Sequence, residues 1–156
     1  MKKLITVLVT AVSLIVATSA IADTAKSLKH AKKATETRQA VFSLLGNNMF
    51  PLGAMAKGKM PFNVELIEKH ALRINQLSLM IADYTRTNTS GFKVETEALN
   101  DIWEKPADFE KHINALVTAS ANLQKAAKLG NESAIKKAIG GVGKSCGGCH
   151  DNYKAD

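Results

Sequence analysis

The sequence predicts an all-α protein, an antiparallel four-helix bundle. Three observations carry this. Apolar residues recur at spacings of three and four along most of the chain, the pattern that gathers them on one stripe of a helix. No run alternates with period two, and only 5% of residues are aromatic, so strand signals are nearly absent. Caps and breakers divide the periodic part into four segments of roughly 20 residues, the length of a bundle helix.

The first 22 residues stand apart from this pattern. Lys2 and Lys3 precede a mostly apolar run from Leu4 to Ala17, and Ala20-Ile21-Ala22 places small residues where a signal peptidase needs them. The run is shorter than the roughly 20 residues that span a bilayer. Residues 1–22 are therefore expected to be a cleaved secretory signal, leaving residues 23–156 as one domain with no membrane segment. Loss of Lys2 and Lys3 lowers the formal net charge from +7 to +5. The remaining lysines are dispersed, and an exported chain has little access to nucleic acid. The balance therefore reads as a solvated surface with some attraction for acidic partners.

The first helix is expected from about Thr24 to Met49, capped by Asp23 or Thr24 and ended by Pro51 and Gly53. Its stripe is Leu28, Ala31, Thr35, Arg38, Phe42, Leu45 and Met49. Residues 51–61 read as a loop holding Met55 and Met60. The second helix is expected from about Val64 to Tyr84, capped by Asn63, with Val64, Ile67, Ala71, Ile74, Leu77, Ile81 and Tyr84 on its stripe. Residues 85–104 read mainly as a long connection, and connections of that length in a compact domain are often functional. The third helix begins near Pro106 and ends at Gly130, burying Phe109, Ile113, Leu116, Ser120, Leu123 and Ala127. The fourth starts at Asn131 and continues its stripe through Ile135, Ala138, Ile139, Val142, Cys146, Cys149, His150 and Tyr153.

The two cysteines, Cys146 and Cys149, are followed by His150 in the pattern Cys-x-x-Cys-His, which reads as covalent attachment of a c-type haem. Cysteines three apart on a helix project from one side and can form thioethers with two vinyl groups on one porphyrin edge. The adjacent histidine then supplies an axial bond to the iron. A disulfide would close a very small, strained loop, a redox dithiol lacks its βαβ setting, and zinc lacks a second ligand pair. Gly140, Gly141, Gly143, Gly147 and Gly148 crowd this helix, each disfavouring it by about 0.5–1 kcal/mol relative to alanine. Either they let the backbone approach a flat macrocycle, or the helix breaks at Gly140-Gly141.

Arg38-Gln39, the segment Gly53 to Gly58 leading to Pro61-Phe62, Ile102-Trp103, and Val142 to Tyr153 occur in an order that resembles the class II c-type cytochromes, the cytochromes c′ in particular. The single motif close to the C-terminus also resembles that class. The resemblance implies a four-helix bundle enclosing one haem, in a periplasmic protein that is usually a homodimer joined through its first two helices. It places Arg38 and Gln39 near the haem, Glu97 roughly where the loop approaches the haem edge, and Lys154 close to the proximal histidine. It also matches Phe42 to the position that supplies a methionine ligand in one branch of the class. Phenylalanine cannot bind iron, so the expectation is a five-coordinate haem with Phe42 closing an apolar distal pocket that admits NO or CO. The alternative is a six-coordinate single-electron carrier for a periplasmic redox partner. Met49, Met55, Met60, Met80, His30, His70 and His112 lie off the expected site. No carboxylate pair, Ser/His/Asp set or phosphate loop suggests an enzyme.

Overall fold

A computed structural model describes residues 23–155; the expected signal segment lies outside the described residues. Five helices follow one another: α1 (Leu28–Ala56), α2 (Val64–Thr85), α3 (Asp101–Glu104), α4 (Pro106–Leu129) and α5 (Glu132–Tyr153). The four long ones form an up-down-up-down bundle. α1 packs on α2, α2 on α4 and α4 on α5, while α1 and α5 meet far less closely.

Three of the four expected N-termini fall where the sequence places them, two of them with a side-chain cap. Asn63 Oδ1 accepts from Leu66 N at 2.9 Å, and Asn131 Oδ1 accepts from Ala134 N at 2.9 Å. Pro106 opens α4, and Gly130 at φ 71° ends it. α1 differs. Its cap is Ser27, whose Oγ accepts from His30 N at 3.1 Å. Asp23 and Ala25 instead pair through their backbones with Asn88, at 2.8 and 2.9 Å.

The end of α1 also corrects the expectation. Pro51 lies inside the helix, which continues to Ala56. The carbonyl that loses its partner belongs to Asn47, which is exposed and open to water. The extra turn carries Leu52 and Met55, both fully buried, and that burial outweighs the proline penalty. Gly58, at φ 69°, then stops the helix. Met55 is thus a core residue of α1 and not a loop residue. Pro51→Ala should raise stability by about 2 kcal/mol in urea unfolding, taking about 3 kcal/mol for an interior proline less about 1 kcal/mol lost through the unfolded chain. A lower midpoint would show that the ring makes packing contacts of its own.

On α2, Ser78 and Thr85 take the buried places expected for Leu77 and Tyr84. Each hydroxyl donates within its own helix, Ser78 to Asn75 O at 2.7 Å and Thr85 to Ile81 O at 2.8 Å, so burial leaves neither unsatisfied. α4 buries all six expected residues. α5 runs unbroken through Gly140-Gly141, held by Ile135, Ile139, Val142 and Tyr153.

Candidate cofactor site

The loosely packed α1–α5 seam is lined by the residues the sequence singled out. Counted at about 100° per residue from Val142, Cys146 lies at about 40°, Cys149 at about −20° and Tyr153 at about 20° around α5. Val142 and Tyr153 are buried. Both thiols therefore sit on the inward arc of α5, one on either side of these two buried residues, yet they are only partly covered. His150, at the edge of the same arc, is exposed.

The facing side of α1 repeats this. From Arg38, Phe42 lies at about 40°, between Thr35 at about 60° and Ala31 at about 20°. Those two are buried, but Phe42 is 37% exposed. Two turns further on, Met49 comes against α5, its Cε 3.7 Å from where a Cβ on Gly143 would stand. Inward-facing apolar and thiol groups left partly uncovered on both helices outline a slot.

Its chemistry suits a haem. Burial raises the Cys146 thiol above its ordinary range. Burial, reinforced by Cys146, pushes Cys149 up to about 11. Such thiols stay protonated at neutral pH and make a poor redox dithiol. The described residues bring no further Cys, His, Asp or Glu cluster that would complete a zinc site. Arg38 is only 2% exposed, and desolvation lowers its pKa. Its Nη2 donates to Thr35 Oγ1 at 3.4 Å and Thr96 Oγ1 at 3.3 Å, while Nε and Nη1 have no partner. The guanidinium lies 5.3 Å from the Trp103 ring centroid. A buried cation with two free donors, at one end of an apolar slot, matches a flat apolar ring that carries carboxylates on one edge.

The glycines need a different account from the one the sequence suggested. By the same angular count, Gly140, Gly147 and Gly148 fall on the outer side of α5, and a Cβ at any of them would meet nothing within 4 Å. Close approach to a ring in the slot therefore concerns Gly143 alone, beside Met49.

The connection between α2 and α4 crosses the seam. Gln39 Nε2 donates to Glu95 O at 2.9 Å. Glu97 Oε2 lies 3.1 Å from Lys154 Nζ, so this carboxylate is directed at the turn after His150. Below it, Tyr153 OH donates to Asp108 Oδ2 at 2.8 Å, and its ring meets Phe109 edge-on at 5.0 Å. Burial, with Asp108 adding, pushes the Tyr153 phenol up to about 12, and the same hydrogen bond holds Asp108 low. Thr96 and Asp108 were not visible as site residues in the sequence, because neither belongs to a spaced pattern.

The cytochrome c′ family model matches residues 33–154. The cytochrome c′ of Rubrivivax gelatinosus is 33% identical over 122 residues, covering 78% of this chain and 93% of that protein. Among solved structures, the cytochrome c′ of Shewanella frigidimarina is 39% identical with a TM-score of 0.74, covering 81% of this chain and 97% of that one. A ferrous variant of Alcaligenes xylosoxidans cytochrome c′, solved with bound NO, is 25% identical with a TM-score of 0.72, covering 81% and 96%. The fold, the Cys-x-x-Cys-His turn on the open seam and these matches agree: this chain belongs to the cytochrome c′ family.

Proposed function

We propose that this chain is a periplasmic haem protein that binds NO or CO at a five-coordinate iron and exchanges single electrons with a redox partner. Residues 1–22 would be its export signal, removed to leave residues 23–156. The observation that carries the reading is the placement of both thiols, only partly covered, on the inward arc of α5 at its loosely packed seam with α1.

Cys146 and Cys149 would each add its S–H across one vinyl group, giving two thioethers and no by-product. His150 would supply the axial nitrogen. Arg38 would face the carboxylate edge with its two free donors, Gln39 and Glu97 flanking it on the crossing segment. When bound, the haem supplies a redox-active iron with one axial position for a gas. Phe42 fills the space over that position with an aromatic face and offers neither a ligand nor a hydrogen-bond donor. That favours the weakly polar NO and CO over O₂. The NO complex solved for the Alcaligenes relative supports the same capacity here.

Placement of the histidines argues against acid–base catalysis at the iron. His70 bonds Asn48 at the α1–α2 contact, at 2.9 Å, and His112 packs on Tyr153 at 5.4 Å. His30 accepts from Lys26 N at the start of α1. Exposed Leu44 and Phe50 on α1, and Leu72 and Leu79 on α2, support association of two copies through these helices.

Absorption spectra of the purified protein test the reading. A high-spin ferric spectrum and a ferrous form that takes up CO are expected. A low-spin ferric spectrum with a ferrous form indifferent to CO would instead identify a six-coordinate electron carrier.

A further inference from the structure

We infer that Thr96 is a positioning residue for His150. It links the helix that forms the distal wall to the turn that follows the proximal histidine. The inference rests on the proposed ligation of iron by His150.

The observation is a chain of short contacts through residues 95–99. At one end, Thr96 Oγ1 accepts from Arg38 Nη2 at 3.3 Å, and Glu95 O accepts from Gln39 Nε2 at 2.9 Å. Arg38 and Gln39 stand one helical turn before Phe42. At the other end, Ala155 N donates to Glu97 O at 2.7 Å, and Leu99 N donates to Tyr153 O at 3.0 Å. Ala98 and Lys154 form an antiparallel bridge. Lys154 N donates back to His150 O at 3.1 Å, so the tied residues close the helical turn that begins at His150.

Thr96 is the centre of this strap for two reasons. Its hydroxyl is shared, accepting also from Ala98 N at 3.1 Å, so it sets the backbone of the strap as well as anchoring it. It is also one of only two polar partners of a buried guanidinium, and a buried charge holds its remaining partners strongly. The Glu97–Lys154 pair adds little, since both side chains are largely in solvent, at 69% and 43% exposed. The direction of the link also matters. α4 already holds this turn through Tyr153 and Asp108, but α1 and α5 share few direct contacts, so the strap is a principal tie between distal and proximal sides. A small shift of α1 is thereby passed to the tilt of the His150 imidazole, without passing through the cofactor.

The test uses the holoprotein with Thr96→Val, which keeps shape and removes the acceptor, and Thr96→Ser, which keeps the acceptor. Gln39→Ala cuts the neighbouring tie. Amide hydrogen exchange at Leu99 and Ala155 reads the strap, and the iron–imidazole stretching band of the ferrous protein reads the histidine. Thr96→Val is expected to speed exchange at both amides about tenfold and to shift the band. Thr96→Ser should restore both, and Gln39→Ala should move both in the same sense as Thr96→Val. Faster exchange with an unmoved band would overturn the positioning role and leave a loop anchor. Unchanged exchange would overturn the link itself. Absence of any iron–imidazole band in the unsubstituted protein would instead overturn the ligation by His150, a failure distinguishable from the other two.

Discussion

Alanine at both Cys146 and Cys149 will yield a protein whose haem is fully extracted by acidified acetone, whereas the unsubstituted chain keeps its haem through denaturation. The two thiols are the only cysteines in the chain, so no other side chain can form a thioether. Without the tether, binding must meet the cost of lost translational and rotational freedom, at least about 4 kcal/mol on the 1 M scale. At about 3–4 °C per kcal/mol for a domain of this size, Tm should fall by about 15 °C. Single substitutions should keep haem attached through one bond and fall between. Retention of haem by the double variant after denaturation would show that attachment does not run through this turn.

On the proposed five-coordinate reading, Phe42→Met is expected to give a six-coordinate, low-spin protein. Phe42 lies on the inward arc of α1 and is incompletely covered by protein, so on that reading a thioether at this position would reach for the iron. A gas must then displace a bond that it does not meet in the parent protein. CO affinity is expected to fall at least about tenfold, or about 1.4 kcal/mol, and the reduction potential should rise. Phe42→Leu serves as the control and should remain high-spin. A Phe42→Met protein that stays high-spin and binds CO as before would place Phe42 away from the iron. The same variant distinguishes the two functional readings, because it rebuilds the carrier within the gas-binding scaffold.

Much of the bundle is legible in the sequence because its signals are local. Asn63, Pro106, Gly130 and Asn131 mark helix ends through contacts made within one turn. The α4 stripe is a full match for the same reason: an amphipathic helix between two neighbours buries one continuous face. The misreadings share a cause as well. Pro51 is a local stop signal overridden by burial of Leu52 and Met55, partners that lie elsewhere in the chain. Ser78 and Thr85 are buried although polar, because their hydroxyls bond back onto α2.

The candidate site divides along the same line. Cys146, Cys149 and His150 are readable because the chemistry proposed for them, thioether attachment and axial ligation, would come from one turn of helix, so the spacing itself carries the signal. Arg38 and Gln39 are adjacent in sequence, but why they matter is invisible there. Arg38 is buried with two free donors, and Gln39 reaches a carbonyl 56 residues away. Glu97 is expected at the haem edge through the resemblance alone, and its pairing with Lys154 follows from the path of the crossing segment.

By itself, the sequence determined four long helices, the caps of α2 and α5, and a Cys-x-x-Cys-His turn, because each depends on residues within a few positions of one another. Tertiary structure alone decided that α1 and α5 pack less closely than their neighbours, that Phe42 and the two thiols on the inward arcs stay partly uncovered, and that residues 95–99 tie the two helices together. Those are relations between segments some 50 to 110 residues apart in the chain. They arise only when the packing of α2 and α4 has fixed where the other two helices stand, and no local periodicity encodes them.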